Sequence, residues 1–427
     1  MTLDVSASDE DAQGVEVVTF GCRLNACESE EITRRAMADG ISEAVVFNTC
    51  AVTAEAVRQA RQAIRKARRE RPAARLIVTG CAAQIDPAAF AAMEEVDLVL
   101  GNAGKYAPGA FDAEGSRVRV GDVFAARRPT GAAGAGRGRV RAYVEIQNGC
   151  DHRCTFCVIP FGRGNSRSIP PQTVVERVRS LADAGYLEVV LTGVDLTSWG
   201  ADLDLALRLG GLVRKILAEV PQLSRLRLSS LDAAEIDAEL MTALADEPRL
   251  MPHLHLSLQS GDDLILKRMK RRHRRVDALG LVREVRRLRP DAAFGADFIV
   301  GFPTESEPAF QNTVALVEEA GLAFVHVFPF SARPGVPAAR MPMVLGAAVK
   351  DRSRRLRAAG EAGLRRHLDR RVGACVRGLV ERPGLARAED FTEVAFAGDQ
   401  APGRMITGPI AAHDGRRGRL DRWEVCG

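Results

Sequence analysis

The sequence predicts a three-part α/β chain: a small parallel sheet, then a partial barrel, then a short β domain. Three observations carry this expectation. Four apolar runs alternate with helical stretches up to residue 124, a Gly-, Ala- and Arg-rich stretch breaks the alternation, and six further strand–helix repeats run on to residue 330.

Residues 1–14, MTLDVSASDEDAQG, are acidic and polar, without a charged-then-apolar leader pattern. They are expected to form a disordered tail on a cytoplasmic protein. The first domain is placed at 15–124. Its strands are VEVVTF (15–20), AVVF (44–47), RLIVTG (75–80) and VDLVLG (96–101), with an arginine-rich helix over 54–71. Cys22, Cys50 and Cys81 each follow one of the first three strands. Strand ends of a parallel sheet share one edge, so these cysteines are predicted to meet there. Residues 125–139, AARRPTGAAGAGRGR, carry no period and read as a flexible linker.

The second domain is placed at 140–369. Its strands are YVEI (143–146), LEVVLTG (187–193), LSRLRLS (223–229), HLHLSL (253–258), FGADFIVG (294–301) and AFVHVFPF (323–330). Helical segments at 171–184, 204–219, 232–245, 275–289 and 305–320 fill the gaps, and a basic helix follows over 344–369. From residue 370 to 427, short apolar runs separated by Gly and Pro indicate a small β domain.

Composition narrows the function. Hydrophobic residues at 46% and charged residues at 27% are ordinary for a globular chain, and no run of 18 apolar residues suggests a membrane span. Of the 60 basic residues only six are lysine, so arginine excess alone argues little for nucleic acid. Clustering argues more: residues 267–289 carry eleven Lys/Arg against two acids, and 58–75 carry eight against one. Lys267, Arg268, Lys270, Arg271 and Arg272, with Arg61 and Arg65, are the candidate RNA contacts. Nine cysteines, an odd number without a secretion signal, argue for free or metal-bound thiols.

The stretch NGCDHRCTFCVIP carries Cys150, Cys154 and Cys157 at C-x₃-C-x₂-C spacing, in a loop after the first barrel strand. Three thiolates suit an iron–sulfur cubane with one iron left open. A zinc site with His152 as fourth ligand is the alternative, although no second knuckle occurs in the sequence. In this spacing and its surroundings the chain resembles the radical S-adenosylmethionine (SAM) enzymes. GCRLNACESE (21–30), NTCAVT (48–53) and GCAAQ (80–84) narrow the resemblance to the methylthiotransferases. NGCDHRCTFCVIPFGRGNSRS and LTGVDLTSWG are most similar to those that modify threonylcarbamoyladenosine in tRNA.

That resemblance implies a flavodoxin-like N-terminal domain, a partial (β/α)₆ radical SAM barrel and a C-terminal TRAM-like RNA-binding β domain. It implies two [4Fe–4S] clusters, one on Cys150, Cys154 and Cys157 and an auxiliary one on Cys22, Cys50 and Cys81. It also implies SAM as cofactor, tRNA bound through its anticodon loop, and an electron donor such as flavodoxin or ferredoxin. No membrane partner is implied, a monomer is expected, and the sulfur donor is left open. Gly193, Asp195, Ser257, Gln259 and Gly301, all at ends of barrel strands, are the implied SAM contacts. Cys27 is an extra thiol, read as a bystander. A ribosomal-protein or an isopentenyladenosine-tRNA methylthiotransferase stays open within the family. From another class, a non-catalytic metal-containing RNA-binding protein also stays open.

Overall fold

The computed structural model describes residues 14–41, 43–112, 114–126, 133–134 and 139–426. The expected tail over 1–14 therefore lies outside the described residues except for Gly14. The first sheet contains β1 (Val15–Thr19), β2 (Ala44–Thr49), β3 (Arg75–Gly80), β4 (Leu98–Leu100) and β5 (Val118–Arg119), all parallel and in sequential order. A flavodoxin sheet runs 2-1-3-4-5, so the topology here departs from that expectation. β2 is buried along its whole length, as a strand covered on both faces must be. One face packs Ile32 and Ala36 of α1 (Arg23–Ala38). The other packs Ala60 and Ile64 of α2 (Ala54–Glu70), whose N-terminus is capped by the Thr53 hydroxyl accepting from Ala56 N at 3.1 Å. The short helices α3 (Cys81–Ile85) and α4 (Pro87–Ala91) follow β3 directly.

Most of the expected linker over 125–139 lies outside the described residues. Within 125–139, β6 (Ala133–Gly134) pairs antiparallel with β7 (Arg141–Glu145), extending the first barrel strand's edge toward the N-terminal domain. A small hairpin, β8 (Gln147–Asn148) with β9 (Arg167–Ser168), then brackets the Cys150–Cys157 loop, which is followed by α5 (Ile159–Arg163).

Six parallel strand positions build the open barrel. After α6 (Pro171–Asp183) come β10 (Glu188–Thr192) and α7 (Leu209–Glu219). Then come β11 (Arg225–Leu228), β12 (Ser230–Leu231) and α8 (Ala238–Asp246). Next are β13 (His253–Gln259), α9 (Asp263–Arg268) and α10 (Arg275–Leu288). β14 (Ala293–Val300), α11 (Glu307–Glu319), β15 (Phe324–Pro329) and α12 (Gly346–Arg371) complete it. β11 and β12 divide the wall into two hydrogen-bonded sheets, β11-β10-β7-β6 and β12-β13-β14-β15.

Alternation along these strands decides what faces where. Ala142, Val144, Val189, Leu191, Leu226, Leu254, Leu256, Phe294, Ala296 and Phe298 face outward into the main core beneath the helices. Their neighbours Arg141, Tyr143, Glu188, Arg225, Arg227, His253, His255 and Asp297 therefore face inward. The lumen is polar, suited to a ligand rather than to packing.

The C-terminal domain contains β16 (Cys375–Arg382), β17 (Leu385–Arg387), β18 (Glu393–Phe396), β19 (Met405–His413), β20 (Gly418–Leu420) and β21 (Glu424–Cys426). β16 pairs with both β17 and β19, which closes a small barrel over Val376, Val380, Val394, Ile406 and Ile410. Its tip at Phe391 plugs the floor of the larger barrel. There Phe391 stacks on His253 at 4.6 Å and meets Phe324 edge-on at 6.0 Å.

Candidate metal centres and the cavity between them

The three strand-end cysteines of the first sheet converge. Cys22 caps α1, Cys50 follows β2, and Cys81 opens α3. Burial pushes the Cys22 thiol up, with Cys81 adding to it, and pushes the Cys50 thiol to about 12, with Cys22 and Cys81 adding to it. Room is kept beside them by glycine: a Cβ on Gly21 would lie 2.5 Å from Cys50 Cβ, and one on Gly162 would lie 3.1 Å from Cys81 Cβ. Gly21 also takes φ +94°, which a side chain would strain. Cys27 stays out of this group. Its buried thiol donates to the Tyr143 carbonyl at 3.4 Å, tying α1 to the barrel wall.

Arg163, which the sequence did not single out, reaches this site from the barrel side. Its buried guanidinium binds Glu28 at 2.9 and 3.0 Å, Asn25 Oδ1 at 2.6 Å and Asn148 Oδ1 at 3.1 Å. Lys105 Nζ, also buried, binds the same Glu28 at 2.9 Å. Two cations against one carboxylate leave net positive charge beside three thiols. The two cations hold the Glu28 carboxyl down to about 2 against the opposing effect of burial. A thiolate-held cluster carries negative charge, so this surplus fits its donor set.

The second triplet sits in the loop after β8. Cys150 N donates to Gly164 O at 3.0 Å, and Cys157 N donates to Cys154 O at 3.1 Å. Gly149 at φ +74° allows the crossing, since a Cβ there would fall 1.9 Å from Asn165 O. Burial, with the Asp195 carboxylate beside it, pushes the Cys150 thiol up, and burial pushes the Cys157 thiol to about 12, with Cys154 adding to it. His152 does not complete a zinc set with the triplet. Its Nε2 faces Asp195 at 2.9 Å and Glu235 at 3.5 Å, and these contacts raise its pKa to about 9. His152 and Asp195 present ligand atoms within 4.8 Å of Cys150 but engage each other, and the three thiols suit a cluster with one iron left open.

Among the expected SAM contacts, Asp195 stands closest to the triplet: Cys150 Sγ lies 3.7 Å from Asp195 Oδ2. The Asp195 backbone is fixed by Gln147 Oε1 at 2.9 Å, and Gln147 also fills the space a Gly193 side chain would need. Ser257 and Gln259 face the lumen from β13, Gln259 with φ +67°. At Gly301 an added Cβ would meet Val349 Cγ2 of α12 at 2.4 Å, and the residue lines a cavity of about 460 Å³ with Pro329, Phe330 and Val349.

The basic cluster is corrected. The Arg271 side chain is only 8% exposed, binds Asp232 at 2.8 Å and the Ser257 carbonyl at 2.8 Å, and lies 3.8 Å from Cys154 Sγ. Asp232, held by Arg271 and His273 and excluded from water, draws it inward. Arg272 pairs with Glu235 and Arg268 with Thr304 Oγ1 at 2.6 Å. Lys267 and Lys270 stay exposed, and Arg65 is exposed beside Glu95. Arg61 lies over the Phe90 ring at 5.6 Å.

Between the two triplets lies a cavity of about 240 Å³. Val52 and Thr53, next to Cys50, form one wall. Phe156 to Ile159, around Cys157, form another. Gln259, Asp297, Ile299, Phe328 and Phe330 complete it. Its aromatic walls suit a planar base.

Comparison with known proteins follows the same division. Residues 144–317 match the Radical SAM superfamily, and residues 14–101 match "Uncharacterized protein family UPF0004". The chain is 46% identical over 380 residues to the threonylcarbamoyladenosine tRNA methylthiotransferase MtaB of Rickettsia prowazekii, covering 89% of this chain and 90% of that protein. It is 33% identical to MtaB of Aquifex aeolicus, covering 91% and 98%. A tRNA-2-methylthio-N6-dimethylallyladenosine synthase of Erythrobacter litoralis is 34% identical, covering 91% and 93%. In fold, the chain is similar to the radical SAM methyltransferase TsrM of Kitasatospora setae, at TM-score 0.52 and 18% identity over 74% of this chain and 68% of that one.

Proposed function

The chain belongs to the radical SAM tRNA methylthiotransferases, and from that premise we infer that its two thiol triplets serve one reaction. That reaction replaces the hydrogen on C2 of N6-threonylcarbamoyladenosine 37 in tRNA with a methylthio group. The observation that supports this reading is a base-sized cavity lined by Cys157 of one triplet and by Val52 and Thr53, which follow Cys50 of the other.

Cys150, Cys154 and Cys157 would hold one [4Fe–4S] cluster and Cys22, Cys50 and Cys81 the other. With SAM, such clusters supply the one-electron chemistry that an unactivated aromatic C–H bond demands. The chain does the rest. Asp195, poised by Gln147, offers its carboxylate to the SAM ammonium; Gln259 and Ser257 offer hydrogen bonds along the same strand. Phe156, Phe328 and Phe330 hold the base flat and keep water from the reacting atoms. Arg163 spans the seam, fixing the distance between the triplets through Glu28 and Asn148.

An anticodon-loop base is unpaired, so it enters such a cavity at small cost. The exposed Lys267 and Lys270 stand beside the mouth for the RNA backbone. No described helix is long and apolar enough to cross a membrane; the enzyme works as a cytoplasmic monomer, with a flavodoxin- or ferredoxin-class donor supplying electrons. Mass spectrometry of tRNA nucleosides from cells lacking the gene tests the reading. The methylthio derivative of threonylcarbamoyladenosine should vanish while that of dimethylallyladenosine stays. Loss of the second with retention of the first would overturn the substrate assignment.

A further inference from the structure

Four arginines point into the floor of the barrel, and three are committed. Arg141 binds Glu188 at 2.7 Å and also pairs with Glu381. Arg225 binds Glu188 at 3.4 Å and the Arg387 carbonyl at 3.1 Å. Arg227 binds Glu188 at 2.9 Å and the carbonyls of Ala388 and Glu389, both at 2.8 Å. Arg23 is different. It follows Cys22 at the start of α1 and enters the lumen through the open side of the barrel, near Tyr143. Among the described residues its guanidinium makes no hydrogen bond and no ion pair; it rests 5.8 Å from the centre of the Phe391 ring.

The charged groups facing it are Arg141, Arg227 and Asp297. Asp297 makes no ion pair with it among the described residues; its Oδ1 instead meets His255 Nε2 at 2.9 Å and His326 Nδ1 at 3.0 Å. His255 has its place only because residue 295 is glycine; a Cβ there would lie 2.5 Å from His255 Nδ1. A half-buried guanidinium without a protein acceptor among the described residues, set beside the like charges of Arg141 and Arg227, is placed to bind an anion. A planar anion arriving from outside would supply the acceptor and offset the like charges.

We propose that Arg23 binds the carboxylate of the threonylcarbamoyl group, and so selects an anionic substituent on the adenine N6 over an apolar one. The assignment rests on the substrate reading above. Placement supports it. C2 and C6 both flank N1 of the adenine ring, so the C2–H bond and the N6 substituent leave the base in diverging directions, and a base with C2 toward the thiol triplets has its N6 substituent free to reach into the polar lumen. Asp297 lines the cavity and faces Arg23, which makes the floor of one the neighbourhood of the other. A dimethylallyl group in the same place would cover Arg23 without offering it an acceptor, so rejection comes from the same residue as recognition.

Iron-loaded protein and anticodon stem-loop RNAs test this by anaerobic fluorescence anisotropy. One RNA carries threonylcarbamoyladenosine, the second its methyl ester, the third dimethylallyladenosine. The parent protein should hold the free acid roughly 10- to 100-fold tighter than the ester. In R23Q that ratio should fall to within about threefold, while R23K should keep most of it through retained charge. Iron content of each variant checks that Cys22 is undisturbed. A ratio preserved in R23Q overturns the Arg23 assignment alone. A parent protein that holds acid, ester and dimethylallyl RNAs equally overturns the substrate reading and the assignment together.

Discussion

Replacing Glu188 by glutamine keeps the side chain's shape and removes the one carboxylate that three buried guanidiniums share. Arg141, Arg227 and Arg225 approach it at 2.7, 2.9 and 3.4 Å, and its own exposure is zero. Those cations hold its carboxyl down from 4.5 to about 2 although burial opposes them. A shift of that size corresponds to about 3 kcal/mol of stability. The cost of breaking a buried ion pair, about 3–5 kcal/mol, agrees with it. At about 2 °C per kcal/mol for a unit of this size, calorimetry of E188Q should show the barrel transition lowered by roughly 6 °C or more. The pH dependence has a definite sign. Because the folded carboxyl is more acidic than the unfolded one, its contribution is complete above pH 4.5 and fades as pH falls toward 2. The difference between parent and E188Q should therefore shrink across that window. Hydrogen exchange should quicken at Ala388 and Glu389, whose carbonyls bind Arg227. A transition within 1 °C of the parent at neutral pH would refute the reasoning.

Cys154→Ala should abolish formation of 5′-deoxyadenosine from SAM, whereas Cys50→Ala should preserve it and stop sulfur insertion; chromatography of anaerobic, dithionite-reduced reactions separates the two outcomes. Gly149→Ala should cost the barrel cluster alone, lowering iron from about eight to about four per chain by chemical assay, because its Cβ would strike Asn165 O. Neutralising Lys267 and Lys270 together should weaken tRNA binding and reduce the slope of log affinity against log salt by about 1.5. Arg271→Ala should leave that slope unchanged and lower iron loading, because the residue faces Cys154 Sγ.

The strands were legible because period-two alternation and β-branched runs survive in short segments. VEVVT and AVVFNT stand where the sequence placed them, and so do all six barrel strand positions. The two triplets were legible through spacing. What stayed hidden depends on which face a strand turns inward. RLRL over 225–228 alternates plainly, yet only the fold reveals that its arginines line a lumen instead of solvent. Arg271 misled for a related reason: within a run of basic residues, nothing local marks the one drawn in by a carboxylate 39 residues away. Arg163 and Arg23 each lie close to a cluster cysteine in sequence, and that proximity was a usable signal. Phe391 had none, because its partner His253 is more than a hundred residues distant. The sheet order of the first domain is likewise beyond any local pattern.

The seating of Phe391 in the barrel floor has a consequence for how this chain can be shortened. Cutting it after α12 would do more than loosen a grip on RNA. It would unseal the vessel from below, giving solvent a second entrance to a chamber that radical chemistry needs dry. The oxygen atoms now bound by Arg225 and Arg227 would also depart with the plug, leaving those guanidiniums to draw water in. The C-terminal domain is therefore part of the reaction chamber's construction, and a fragment of residues 1–371 should squander SAM in unproductive turnover.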